Sequence, residues 1–140
     1  MSTQTEVEVS YDVGNDFFRT ILDSEMNYTS GIYEGAEEFA ETNDLEIAQV
    51  NKLDRLHRLA KIEPGTGRVL DVGCGWGANL RHLVRARGVR EAVGITLSRA
   101  QHEEVQTRNT PGVETSVISY ADYAPARDAD GAPKNFDAIV

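Results

Sequence analysis

The sequence predicts an α/β fold: a parallel sheet with helices on both faces, preceded by an N-terminal helical extension. Three observations lead there. From Arg68 onward, short β-compatible apolar runs alternate with stretches whose apolar residues recur at helical spacing. Pro64-Gly65, Gly88 and Pro111-Gly112 punctuate those units. One run, V-L-D-V at residues 69–72, leads straight into glycines at 73, 75 and 77, the pattern of a strand entering a ligand-binding turn.

The elements follow in order. Residues 1–10 are polar and predicted to fray. Residues 11–22 predict a short helix, with Phe17, Phe18, Ile21 and Leu22 at helical spacing. Residues 23–35 read as a loop that carries Met26, Tyr28 and Tyr33, which serve either as anchors or as a lid over a ligand. The six carboxylates of residues 34–46 read as a solvated face without metal-ligand spacing. Asn43 or Asp44 caps a helix running to about Lys61, with Leu45, Ala48, Leu53, Leu56 and Leu59 near one side. His57 lies among charged residues on that helix and is expected to be exposed. Residues 1–62 thus form the extension and 63–140 the sheet domain.

Within the sheet domain the first strand is 68–72, and a helix at 77–86 turns Leu80, Leu83 and Val84 inward until Gly88 stops it. A second strand spans 91–96. The helix at 98–108 opens on Ser98-x-x-Gln101, which has the form of a capping box. Residues 113–119 form the third strand, 121–135 a loop rich in Asp, Ala, Pro and Gly, and 136–140 the start of a fourth strand. In such sheets ligands bind beyond the carboxyl ends of the strands at a switch point. Segments 71–77, 96–101 and 119–122 should therefore converge.

Bulk properties narrow the partners. With 14 basic and 23 acidic residues the net charge is −9, which repels nucleic acid phosphates. No apolar run is long enough to span a membrane, and the N-terminus lacks a basic–apolar signal pattern. A single cysteine, Cys74, excludes a disulfide framework and builds no metal site alone. These features fit the cytoplasm. Arg81, Arg85, Arg87 and Arg90 read as a solvated helix face rather than a docking patch.

The glycine turn carries the chemistry. Asp71, on the strand just before the glycines, suits a cationic ligand group better than a pyrophosphate. That favours S-adenosyl-L-methionine (SAM), with its ammonium and sulfonium, over a dinucleotide. Gly73-x-Gly75-x-x-Ala78 does satisfy the looser dinucleotide fingerprint, but the following strand, A-V-G-I-T, ends without the acid that a ribose-binding site wants. A plain strand–helix turn rarely needs three alternating glycines.

Three segments carry a family resemblance. Y-D-V-G-N-D-F-F at residues 11–18, continuing to Leu22-Asp23, resembles an N-terminal signature of the cyclopropane-fatty-acid-synthase-type methyltransferases, a class I SAM-dependent group that includes the mycolic acid methyltransferases. V-L-D-V-G-C-G-W-G at 69–77 is similar to that group's cofactor loop, and G-I-T-L-S-R-A-Q at 94–101 to its next segment. The resemblance spans residues 11–140 in family order and implies a Rossmann-like class I sheet, of which the first four strands are present. It also implies roles. Backbone around Gly73 and Gly75 lies against the methionine moiety with Asp71 as charge partner; Thr96, Leu97 and Gln101 hold the ribose and adenine side; Tyr28 and Thr29 match the loop that closes on the cofactor. For Gln101 a role as capping residue alone stays open. Tyr120 and Ala121 fall at the aromatic–polar pair beside the adenine, where Ala121 departs from the pattern and leaves recognition to backbone groups or Asp122. Ser30 stands where cyclopropane synthases carry a cysteine that helps hold a bicarbonate base, which favours simple methylation over ring formation.

The reaction so implied is attack by an electron-rich carbon, alkene or amine on the SAM methyl group, with acyl chains or small molecules as acceptors. The protein aligns the partners and excludes water. No catalytic residue is identifiable. Because a class I sheet is larger than four strands, the chain is expected to be an N-terminal half, completed by the C-terminal half of the same fold on the same or a second polypeptide. A non-catalytic module that binds SAM or a partner is the alternative.

Overall fold

A computed structural model describes residues 14–33 and 44–140. Expectations for residues 1–13 and 34–43, including the start of the first helix and most of the acidic run, lie outside the described residues. The elements are α1 (Asn15–Arg19), α2 (Asp44–Leu59), β1 (Arg68–Val72), α3 (Ala78–Arg87), β2 (Glu91–Thr96), α4 (Arg99–Arg108), β3 (Val113–Val117) and β4 (Ala138–Ile139). The sheet is parallel throughout, in the order β3-β2-β1-β4. Asp71 pairs in register with Gly94, and Val69 with Ala138.

Topology dictates where the helices go. The crossovers β1-α3-β2 and β2-α4-β3 both step the same way along the sheet, and right-handed connections then put both helices on one face. That face buries Val69 and Ala92 against Leu80 and Leu83, with Val84, Val113 and Ile62 packed around them. The step from β3 back to β4 crosses the other face, where Leu70, Val93 and Ile95 meet Ile118, Tyr123 and Phe136 from the connecting segment. Helices were expected on both faces; among the described residues α3 and α4 share one, and connecting-segment side chains cover the other.

Two other expectations are corrected by burial. The inward face of α2 carries Ala48, Gln49, Leu53 and His57, whereas Leu59 is 73% exposed. Ala48 and Leu53 lie on this face as expected, while Leu45, Leu56 and Leu59 do not. Its other two members are polar and find partners: Gln49 Nε2 donates to the Thr29 carbonyl at 2.8 Å, and His57 Nε2 lies 2.7 Å from Asn79 Oδ1. His57 is therefore fully buried, not exposed. Arg81, assigned to a solvated face, is 1% exposed. It donates to the Trp76 carbonyl at 2.7 Å, to the Glu25 carbonyl at 2.8 Å and to the Glu25 carboxylate.

The segment before α2 is fastened to the glycine loop by aromatic packing. Phe18, Met26 and Trp76 form a buried cluster, with the Phe18 and Trp76 ring centroids 4.8 Å apart. Asn15 ties this cluster to the sheet domain: its Oδ1 accepts from Trp76 Nε1 at 2.8 Å, and its Nδ2 donates to the Ala100 carbonyl at 3.3 Å.

Candidate functional site

A cavity of about 450 Å³ opens at the carboxyl end of β1, at the point where the chain turns to β2 on one side and β4 on the other. Its walls include Tyr28, Thr29, Lys52, Asp71, the 73–76 turn and Gln101. A second cavity of about 250 Å³ shares Gly73, Thr96 and Leu97 with the first and is lined otherwise by Val72, Ile95, Ile118 and Tyr120, among others. The predicted segments 71–77 and 96–101 thus converge, and Tyr120 of the third joins them. Ala121 lines neither cavity. Its N–H donates to Ser119 Oγ and that of Asp122 to the Ser119 carbonyl, so both backbone donors are held within the turn. Ser30 is exposed and outside both linings.

The glycine turn follows from backbone geometry. Gly73, Gly75 and Gly77 all adopt positive φ, at 84°, 53° and 78°, a region that costs a side-chain-bearing residue about 1–2 kcal/mol. A Cβ placed on Gly73 or Gly75 meets no protein atom within 4 Å, whereas one on Gly77 comes 2.8 Å from Val105. Gly77 serves packing, and the first two leave backbone open to the cavity. The thiol of Cys74, between them, is pushed up by burial and by Asp71, which removes it as a nucleophile.

Asp71 is 8% exposed. Burial raises its pKa to about 6, opposed by the bond from Asn79 Nδ2 at 3.1 Å and by the charge of Lys52. Lys52, from α2, donates to Asn27 Oδ1 at 3.1 Å and Thr29 Oγ1 at 2.7 Å. Burial holds its ammonium below the usual lysine range, offset by Asp23 and Asp71. The loop bearing these groups is shaped by Asp23, whose carboxylate accepts from the Asn27 N–H at 2.6 Å and Asn27 Nδ2 at 2.8 Å.

On the opposite wall Thr96 Oγ1 donates to Gln101 Oε1 at 2.8 Å and accepts from the Ser98 N–H at 3.2 Å. Ser98 Oγ caps the Gln101 N–H, but the return arm of the predicted capping box is diverted: Gln101 reaches Thr96 instead. With its oxygen engaged, the Nε2–H groups are what Gln101 has left to offer a ligand. Sequence reasoning missed Lys52, Asn79, Asn15 and His57, since none stands in a glycine motif and each acts through a helix-to-helix or helix-to-loop contact.

Asp54, His57 and His82 also bring potential metal-ligating atoms within 4.8 Å of one another. The arrangement is a poor cation site. Arg87 already sits on the Asp54 oxygen that His82 contacts, at 3.0 Å. His57 Nε2 is engaged by Asn79 and His82 Nε2 by Asp54, so both rings already spend one nitrogen on the protein.

A family model described as mycolic acid cyclopropane synthetase matches residues 1–140. A Mycobacterium tuberculosis protein named "Probable fatty acid methyltransferase Rv3720" is 39% identical over 132 residues, covering 92% of this chain and 28% of the relative. The cyclopropane-fatty-acyl-phospholipid synthase of Escherichia coli K12 is 35% identical over 130 residues, covering 93% and 30%. Among solved structures, the mycolic acid cyclopropane synthase CmaA1, crystallised with SAH and CTAB, superposes with a TM-score of 0.76 at 30% identity, over 90% of this chain and 44% of that one. The chain therefore spans under a third of the length of these curated relatives.

Proposed function

The chain belongs to the mycolic acid cyclopropane synthetase family, and from that membership we propose that its cavity binds SAM and that the chain is the cofactor-binding part of an enzyme methylating carbon. The acceptor in this reading is an alkene of an acyl chain or a small molecule. One observation supports it above others: the charged side chains lining the larger cavity are one acid, Asp71, and one base, Lys52. An amino-acid zwitterion carries the complementary pair on a single carbon. Asp71 takes the ammonium, while Lys52 and Thr29 take the carboxylate. Backbone at Gly73 and Gly75 lies along the methionine chain, and Gln101 bonds the ribose. The apolar second cavity, with Leu97, Ile118 and Tyr120, takes the adenine.

When bound, SAM supplies an electrophilic methyl group on a sulfonium. This chain's contribution is to fix that group in line with the acceptor and keep water away, through Tyr28, Met26 and Trp76 on the lid side. We read residues 1–62 as that lid and extension and 63–140 as the sheet that carries the cofactor. No side chain is assigned as catalytic base. The outer edge of β4, where Ile139 is 63% exposed, is where we place a further strand, contributed by a C-terminal segment of the same or a second polypeptide. Turnover depends on it. Among the described residues no helix is long and apolar enough to cross a membrane, and we place the chain in the cytoplasm.

Isothermal titration with SAM and SAH tests the cofactor assignment. Wild type is expected to bind both one-to-one, and Gly73→Ala, which adds a methyl group where no protein atom stands at a backbone cost of about 1–2 kcal/mol, to stay folded by circular dichroism yet lose binding. Transfer of labelled methyl from SAM to an unsaturated acyl phospholipid, with and without a C-terminal segment from a family member, tests the reaction. Absence of SAM binding at millimolar concentration refutes the cofactor assignment; binding without transfer in the completed protein refutes the enzymatic one.

A further inference from the structure

Behind Asp71 a hydrogen-bonded chain leaves the cavity and enters the α2–α3 interface. Asn79 Nδ2 donates to Asp71 Oδ2 at 3.1 Å, and Asn79 Oδ1 lies 2.7 Å from His57 Nε2. All three side chains are buried. Chemistry fixes the direction. A carboxylate only accepts, so Asn79 turns its NH2 to Asp71; its oxygen then faces His57, whose Nε2 must carry the proton. His57 Nδ1 has no partner, and burial, with His82 and Arg87 nearby, holds the ring below the usual histidine range. The ring is therefore neutral and in the Nε2–H tautomer.

We propose that Asn79 and His57 are positioning residues for the cofactor: a one-way relay, His57 Nε2–H to Asn79 Oδ1 and Asn79 Nδ2–H to Asp71, keeps the Asp71 carboxylate ionised and turned toward the ligand's ammonium. This rests on the SAM assignment above. The relay deepens it because His57 lies outside the cavity lining and Asn79, though part of that lining, turns its donor to Asp71, so both act on the ligand through Asp71. Asn79 is a group that only accepts from His57 and only donates to Asp71, so losing His57 leaves the amide free to rotate its oxygen toward the carboxylate. Ionised Asp71 holds an ammonium by a charge-assisted bond; protonated Asp71 does not.

The readout is the pH dependence of SAM affinity. Asp71 is faced by Lys52 from α2, Cys74 from the glycine turn and Asn79 from α3. His57 is faced by Asp54 from its own helix and by His82 and Arg87 from α3. The ligand's α-amino group, at about 7.7–8.0 in model peptides, stays mostly protonated up to about pH 7.

Isothermal titration of SAM from pH 5 to 7.5 is expected to show a Kd that is tightest near pH 7 and weakens about tenfold by pH 5. Asn79→Ala shifts that break upward by about one pH unit. His57→Leu shifts it the same way by less, and His57→Gln, whose amide N–H replaces the imidazole donor, restores it. His82→Gln leaves it in place. Nitrogen-15 shifts of the His57 ring should report the Nε2–H tautomer. The relay is overturned if Asn79→Ala weakens binding by one factor at every pH, if His57→Gln behaves like His57→Leu, or if wild type binds SAM with no break. Failure of wild type to bind SAM at any pH overturns the cofactor assignment and the relay together.

Discussion

Asp71 is buried on a strand between valine and leucine, with one side-chain hydrogen bond and one nearby ammonium to support its charge. Those two groups do not offset desolvation, so its folded pKa stands at about 6 against an ordinary 3.8. The sign is that of a raised carboxyl: the group's stabilising effect is full below pH 3.8 and is lost as pH rises through about 6. Above that pH the ionised side chain costs the ligand-free fold about 3 kcal/mol by linkage. Asp71→Asn should therefore raise the unfolding free energy at pH 7.5 by up to about that amount, change it little at pH 4, and abolish SAM binding. Urea unfolding at both pH values measures it; a variant less stable than wild type at pH 7.5 contradicts the linkage. Asp71, Gly73 and Gly75 were legible in the sequence because their geometry is local: strand, acid, then residues tolerant of positive φ. Lys52, Asn79 and His57 were not. Their roles arise where α2 and its preceding loop meet α3, and one chain's residue types do not announce such pairings.

At the scale of elements, boundaries read from the sequence fell close to those observed wherever a glycine or cap set them, as at Gly88 after α3 and Ser98 before α4. Facing was harder. A helix whose buried side includes Gln49 and His57 does not stand out by leucine spacing, and arginines behind a glycine turn look solvated until a partner is placed. The partner of Arg81 is Glu25, from a loop 56 residues away, and the same carboxylate meets Arg85 and Arg108. These pairs hold the loop that carries Met26 and Tyr28 against α3 and α4. Glu25→Ala leaves a buried guanidinium with only carbonyl partners, a loss that reaches 3–5 kcal/mol for a fully buried pair. Because the Glu25 side chain is 38% exposed, about 2 kcal/mol is the expected cost. The chain has one tryptophan, Trp76, which packs beside Met26 and Phe18. Its fluorescence should shift to the red in Glu25→Ala as the loop loosens, and SAM affinity should fall with it. Unchanged emission together with unchanged affinity would show that the loop is held by its aromatics alone.

For the molecule as a whole, the site is assembled from segments distant in sequence: loop 26–29 and Lys52 before the sheet, turn 73–77 after β1, and 96–101 after β2. What joins them is the carboxyl edge of a parallel sheet, where successive strands end on the same side. A ligand spanning the two cavities should therefore protect a discontinuous set of amides. Hydrogen exchange with SAH added is expected to slow at residues 26–29, 73–77, 96–101 and 118–120 together, while 125–135, which line neither cavity, exchange as before. The same experiment reads the fold without ligand. β1 and β2 each pair on both sides, whereas among the described strands β3 and β4 pair on one, so the amides of β1 and β2 should open only with global unfolding and those of β4 by local fraying. Strong SAH protection confined to 73–77 would mean that the turn binds ligand without the preceding loop. In that case Lys52 and Thr29 lose their assigned carboxylate, and the segment before the sheet is a structural brace rather than part of the site.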